Sequence, residues 1–146
     1  MTDIVDTATR SRMMAGIREK NTAPELLIRQ NLHRLGFRFR LHDKRLPGKP
    51  DLLLPKHRAV IFVHGCFWHG HDCPAFKWPT TRAEFWRTKI ERNCENDRRH
   101  TKELREMGWR ICVVWECSVR KSGGEVLAAR IARWLAGASR TLEISA

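Results

Sequence analysis

Hydrophobic positions along the chain change period several times, and each change marks an element. Ile28, Leu32 and Leu35 recur at helical spacing behind Thr22-Ala-Pro-Glu25. That tetrapeptide is a capping box: the threonine oxygen can accept from the amide three residues on, and the glutamate can reach back. Gly36 suits the C-terminal end of this helix. Phe37 to Leu41 then alternates with period two, as a half-buried strand does. Leu46-Pro-Gly-Lys-Pro50 forces an extended approach to Asp51. Two apolar runs, 51–54 and 59–63, flank Pro55-Lys-His-Arg58, the pattern of a β-hairpin whose strands are buried on both faces.

Thr81-x-x-Glu84 is a second capping box and predicts a long helix reaching Met107, with Gly108 as its stop. Trp86, Ile90, Cys94, Thr101 and Leu104 mark its inward face, and Asp97 falls on that face. Trp109 to Trp115 predicts a further buried strand. Glu125 to Leu135 predicts a last helix with Val126, Leu127, Ile131 and Leu135 inward, and the final residues carry no usable pattern. This succession predicts one α/β domain over residues 1–146, a central mixed β-sheet flanked by helices. Ahead of it, Thr9 to Lys20 sets Arg10, Arg12, Arg18 and Lys20 among Met13, Met14 and Ile17. Residues 1–20 therefore read as a basic helical arm, either a solvated surface helix or an arm laid against DNA.

Charge narrows the partner. Lys and Arg number 28 against 16 Asp and Glu, a formal net charge of +12. That balance points to a polyanion, although a basic protein of unrelated role, such as a ribosome-associated one, has the same balance. No apolar run approaches the ~20 residues of a membrane span, and MTDIVDTATR has no hydrophobic signal segment. Five cysteines cannot all pair within one chain. Reduced cytoplasmic thiols and metal ligation are expected ahead of disulfides.

The densest chemistry lies in His64-Gly-Cys-Phe-Trp-His-Gly-His-Asp-Cys73, ten residues with three of the seven histidines and two of the five cysteines. A structural zinc ion wants four thiolate or imidazole ligands in a tetrahedron. Cys66, His71 and Cys73 can wrap one ion if the loop folds around it. Cys117, just past the Trp109–Trp115 strand, is the natural fourth. The alternative is that these are ordinary buried thiols. Cys112 and Cys94 read as small buried apolar side chains. The segment from 64 to 80 is thus expected to be a zinc-stapled loop.

Catalytic candidates surround it. Asp51 sits at the start of an apolar strand, where a carboxylate is costly unless paired or metal-bound. It is either a turn aspartate or a ligand to a hard cation such as Mg²⁺. His64 ends the neighbouring hairpin strand. His69 is not needed for the zinc tetrahedron and is free to activate water. Asp97 is either a satisfied core carboxylate or part of a site. Phe67, Trp68 and Trp86 are either core plugs or wedges that slide between base pairs, where unstacking a step costs a few kcal/mol.

Taken together, Pro-Gly-Lys-Pro-Asp51, Val-Ile-Phe-Val-His64-Gly-Cys-Phe-Trp-His69, Thr-Arg-x-Glu-Phe-Trp86, Asn96-Asp97-Arg-Arg and Val-Val-Trp-Glu-Cys117 closely resemble the very short patch repair (Vsr) DNA mismatch endonucleases. The Ala-Thr-Arg-Ser segment near the N-terminus fits as well. The resemblance runs from about residue 6 to residue 120 in unbroken order and fades beyond. It implies a restriction-endonuclease-like fold and a monomeric enzyme of the cytoplasm, associated with the nucleoid. That enzyme nicks one strand of double-stranded DNA beside the thymine of a T·G mismatch left by 5-methylcytosine deamination, starting DNA repair with mismatch-repair factors as further partners. It implies Mg²⁺ on Asp51 and on the backbone carbonyl of Val63, where the family pattern has threonine. It implies His69 as general base, His64 and Asp97 holding metal-bound waters, and Glu25 supporting His69 or its surroundings. It implies structural Zn²⁺ on Cys66, His71, Cys73 and Cys117. It also implies DNA contacts by Phe67, Trp68, Trp86, Met14, Arg10 and Arg12. Two other readings stand beside it. One is a zinc-stapled DNA-binding module without nuclease activity, against which Asp51, His64 and His69 all speak. The other is a sequence-specific restriction endonuclease, which would usually carry a Glu-x-Lys pair where Phe62-Val-His64 stands.

Overall fold

The computed structural model describes residues 21–74 and 76–146. Arg10, Arg12 and Met14 of the expected N-terminal arm lie outside the described residues. Helix α1 (Ala23–Arg34) leads into strand β1 (Arg40–Leu41) and the hairpin β2 (Leu52–Leu54) and β3 (Ala59–His64). The long helix α2 (Ala83–Glu106) follows, then strand β4 (Arg110–Trp115), helices α3 (Glu116–Ser122) and α4 (Gly124–Ala136), and strand β5 (Thr141–Ile144). The strands form one sheet in the order β1-β2-β3-β4-β5. The β1–β2 and β2–β3 pairs are antiparallel, while β3–β4 and β4–β5 are parallel, so the expected mixed sheet is present.

Strand alternation divides the core between the two sheet faces. Leu52, Leu54, Ile61, Cys112, Val114 and Ile144 pack with Ile28 and Leu32 of α1 and with Leu127, Ile131 and Leu135 of α4. Leu53, Val60, Phe62 and Ile111 turn the other way, onto Leu104 of α2. The central strands read as unbroken apolar runs because both faces are covered.

Several expectations need correcting. Phe37 and Phe39 do face the larger core, as the Phe37–Leu41 alternation predicts, but only Arg40 and Leu41 pair with β2, so the strand is two residues long. Helix α2 starts without a side-chain cap. Arg82 in the left-handed region (φ 54°) occupies the N-cap, and Thr81 lies outside it. Leu127, Ile131 and Leu135 of α4 are buried as expected, but Val126 is 59% exposed, because the buried stripe widens toward Ala128 and Trp134 instead. Helix α3 and strand β5 were not expected from the sequence. In α1, Thr22 does accept from the Glu25 amide (3.4 Å), but the Glu25 carboxylate reaches Asn21 N–H (3.0 Å) instead of Thr22.

Ile61 lies fully buried on the central strand. Ile61→Ala is expected to destabilise the protein by ~2–5 kcal/mol, the usual penalty for emptying such a site. Urea unfolding followed by tryptophan fluorescence measures this, and an unchanged midpoint would contradict the packing.

Candidate active site

The antiparallel β2–β3 hairpin delivers the site. Asp51 precedes β2, and Val63 and His64 end β3, so the antiparallel hairpin register sets these positions at one end of the sheet. The Val63 amide donates to Asp51 Oδ2 at 2.7 Å and fixes that carboxylate. The approach loop needs Gly48: its φ is +77°, and a Cβ there would sit 3.1 Å from both His100 and Phe62.

Two clusters meet in one cleft, lined among others by His42, Asp51, Val63, His64, His69 and Asp97. In the first, Glu25, His42 and Asp51 bring one ligand atom each within 4.8 Å of one another. Glu25 is 1% exposed. Its Oε2 pairs with Arg29 Nη1 and with His42 Nε2, each at 2.9 Å, and His42 Nε2 stands 4.0 Å from Asp51 Oδ1. Glu25 therefore stands with Asp51 and His42. Burial, followed by the neighbouring Glu25 charge, raises the Asp51 carboxyl well above the usual carboxylate range, against the lowering effect of the Val63 amide.

In the second cluster, His69 Nδ1 lies 2.5 Å from Asp97 Oδ2, and the His64 and His69 rings stack with centroids 3.8 Å apart. Desolvation, then the His69 charge, holds His64 well below the ordinary imidazole range, so it is neutral at pH 7. Helix α2 grips this loop at three points. Asn93 Nδ2 donates to the Trp68 carbonyl (2.9 Å), Cys94 Sγ to the His69 carbonyl (3.1 Å), and Asp97 holds the ring. Cys94 is thus a half-buried donor to the loop, not the apolar core residue its helical position suggested. Gly70 makes the close approach possible, since a Cβ there would lie 2.9 Å from Ile90 Cγ2.

Cys66, His71, Cys73 and Cys117 form a third cluster, again with ligand atoms all within 4.8 Å of one another. Cys117 Sγ lies 3.6 Å from His71 Nδ1, and the His71 ring stacks flat on Trp115 at 4.1 Å. All five cysteines are free thiols. Burial pushes the Cys66 thiol up to about 12, a penalty that a dication coordinated there would reverse. Three sulfurs, one imidazole nitrogen and their spacing suit a tetrahedral metal. Cys112 stays apart as a buried core thiol, as expected.

The aromatics gather beside the cleft. Phe67, Trp68 and Trp86 are half-buried and mutually packed, with centroids 5.1–5.6 Å apart.

Comparison with known proteins decides the family. The family model "DNA mismatch endonuclease Vsr" matches residues 2–75. The chain is 45% identical over 147 residues to the DNA mismatch endonuclease Vsr of Escherichia coli (strain K12), covering 99% of this chain and 94% of that protein. The chain belongs to the Vsr DNA mismatch endonuclease family. It is also 47% identical to the type II nicking enzyme V.XorIIP of Xanthomonas oryzae pv. oryzae, over 84% of this chain and 90% of that enzyme. The type II nicking enzyme V.NmeAIP of Neisseria meningitidis serogroup A is likewise 47% identical, over 82% and 86%.

In this Vsr-family chain the cleft holds residues that sequence reasoning missed. His42 gave no motif. Its signal was positional: once Phe37–Leu41 pairs with the Asp51 strand, the residue after Leu41 falls opposite Asp51, and His42 N–H indeed donates to the Asp51 carbonyl at 3.1 Å. Asn93 was legible only as a polar residue one helical turn before Asp97.

The raised Asp51 carboxyl gives a stability prediction with a definite sign. A carboxyl whose pKa is higher in the folded state favours folding while protonated, and that contribution is lost as pH rises from its unfolded range through its raised folded one. Without added Mg²⁺, Asp51→Asn is therefore expected to melt higher than the parent at pH 7–8, with the gap closing toward pH 4. Asparagine can still accept from Val63 N–H. Equal melting temperatures across that pH range would contradict the burial argument.

Proposed function

We propose that this chain nicks one strand of duplex DNA beside the thymine of a T·G mismatch, the product of 5-methylcytosine deamination, and so starts very short patch repair. The observation that carries this reading is the His69–Asp97 pair facing Asp51 across one cleft, beside a packed cluster of exposable aromatics. Family membership supports a DNA endonuclease, and the names of the nicking relatives support a cut in one strand.

Hydrolysis needs a water deprotonated in line with the leaving oxygen. Asp97 accepts from Nδ1–H of His69, which fixes the tautomer and leaves Nε2 as the base. A neutral His64 stacked on that ring adds no charge against the imidazolium that forms. Asp51 and the Val63 carbonyl would hold Mg²⁺, with Asp51 fixed by the Val63 amide. When bound, the ion supplies Lewis-acid stabilisation of the charge developing on the phosphoryl oxygens. Only the carbonyl of residue 63 is asked for, so valine serves there. Glu25 and His42 hold the far side of Asp51 in place. Lys49, also at the cleft, adds positive charge for the phosphodiester, and the His100 ring beside it offers a hydrogen-bonding nitrogen.

Phe67, Trp68 and Trp86 act as the wedge. A T·G wobble pair stacks less well than a matched pair and is easier to open, so the wedge selects by deformability. Cys66, His71, Cys73 and Cys117 bind structural Zn²⁺. The sheet is read as a restriction-endonuclease-type core, with β2 and β3 carrying the metal-binding positions. Among the described residues no helix is long and apolar enough to cross a membrane.

Asp51→Ala is expected to abolish nicking of a T·G duplex in Mg²⁺ while leaving binding to that duplex largely intact. His69→Ala should lower the single-turnover rate by ~10²–10⁴-fold. A matched duplex nicked as fast as the T·G duplex by the parent would refute mismatch specificity.

Purified protein is expected to carry one zinc per chain by elemental analysis. Cys117→Ala should lose it together with the fold of the 64–73 loop, since bound zinc contributes on the order of 10 kcal/mol to such sites. His69→Ala should keep its zinc, whereas His71→Ala should not. The opposite pattern would mean that the two histidines exchange roles.

A further inference from the structure

The aromatic cluster continues past the three wedge residues. Phe76 lies 6.0 Å from Phe67, and Trp78 lies 4.9 Å beyond Phe76, edge to face. The array therefore runs from the half-buried wedge out to a tryptophan that is 44% exposed. The Arg87 guanidinium stands 4.9 Å from the centre of the Trp78 ring, and both Arg87 and Lys77 are exposed. Neither Trp78 nor Arg87 has a part in the chemistry above.

An indole left in water forgoes the burial that ordinarily makes tryptophan favourable, and a guanidinium placed over it remains free to donate. The chemistry that satisfies both is a nucleic-acid backbone: phosphate oxygens for the guanidinium and the indole N–H, and the apolar face of a deoxyribose for the ring. An acidic peptide would meet the cations but offers no regular apolar surface to the indole. Position favours DNA as well. Ring contacts run without a break from Phe67 of the wedge through Phe76 to Trp78, with Arg87 over that indole, so a duplex opened at the wedge continues past Trp78 and Arg87.

We propose that Trp78 and Arg87 form a flanking subsite that grips the sugar-phosphate backbone beside the opened base step. The subsite extends the footprint beyond the wedge, and it rests on the reading of this chain as a mismatch nickase. It adds affinity and register without reading sequence, because phosphate contacts carry none. It does not touch the scissile phosphate, so it acts on binding and leaves chemistry alone.

The test uses the full chain and three T·G duplexes: one long on both sides of the mismatch, and two shortened on one side or the other. Affinity is measured over a range of salt concentrations. Trp78→Ala and Arg87→Gln should each weaken binding to the long duplex several-fold. Arg87→Gln should also lower the salt slope by about one phosphate contact. One of the two truncations should erase the difference between variants and parent, and single-turnover nicking at saturating DNA should stay at the parent rate. If Trp78→Ala disturbs the loop, as a loss of zinc would reveal, Arg87→Gln on the helix carries the same slope and truncation tests. Variants that match the parent in affinity and slope on the long duplex, while the parent still prefers T·G, overturn the subsite and leave the mismatch reading standing. A parent that binds T·G and matched duplexes alike overturns the mismatch reading, and the long-against-short comparison still decides the subsite by itself.

Discussion

A loop with almost no aliphatic surface has to hold a histidine in hydrogen-bonding distance of a helix, and the rest of the site depends on how it is pinned. The 64–73 segment cannot bury enough apolar area to order itself. Its conformational entropy, on the order of 1–2 kcal/mol per residue, is offset from two sides. Below, Cys66, His71 and Cys73 close on Cys117 at the start of α3, which tethers the loop to the end of β4. Above, α2 takes the loop carbonyls through Asn93 and Cys94 and the His69 ring through Asp97. His69 lies between the two anchors. The Cys/His cluster and His69 are therefore mechanically coupled although they share no residue: loosening Cys117 frees the stretch that carries His69.

The second constraint is electrostatic. Glu25 and Asp51 bring two carboxylates to one buried place, an arrangement that works against folding when no cation is present. Arg29 and His42 relieve Glu25. Among the described residues Asp51 receives one backbone amide and a distant imidazole, and burial, with the Glu25 charge beside it, raises its carboxyl pKa. The ligand atoms of Glu25, His42 and Asp51 lie close enough together to hold a cation. A cation bound there would turn the same penalty into affinity, because coordination removes the cost that burial imposes.

How much of this the sequence shows depends on the range of the interaction. The β2–β3 hairpin was legible because both strands are apolar runs bounded by turn residues, and α2 because Ile90 and Leu104 repeat at helical spacing. The gathering of Cys66, His71, Cys73 and Cys117 was legible because three lie within eight residues and the fourth lies two residues past a predicted strand. Asp97 could be placed on the inner face of its helix, but its partner could not, since 28 residues separate it from His69. His42 was invisible because its role arises from strand pairing and carries no local pattern. The failures at Thr81, Val126 and the Phe37–Leu41 strand share a cause. Local propensity was right about which residues favour an element, and tertiary packing shifted its boundary by one to three positions or turned a single flanking residue outward.

Strand β5 shows why that matters for function. Only Leu142 and Ile144 alternate in it, too little for a prediction, yet it pairs with β4 along Ile111 to Val114 and covers what would otherwise be the exposed edge of the catalytic sheet. Glu143 on that strand accepts from Trp115 Nε1 at 2.8 Å. Trp115 in turn carries the His71 ring on its face and lies against His64. A short strand near the end of the sequence thus fixes the indole that both His71 of the Cys/His cluster and His64 of the cleft lean on. The residues most remote from any motif are in this way part of what keeps the two functional clusters in register.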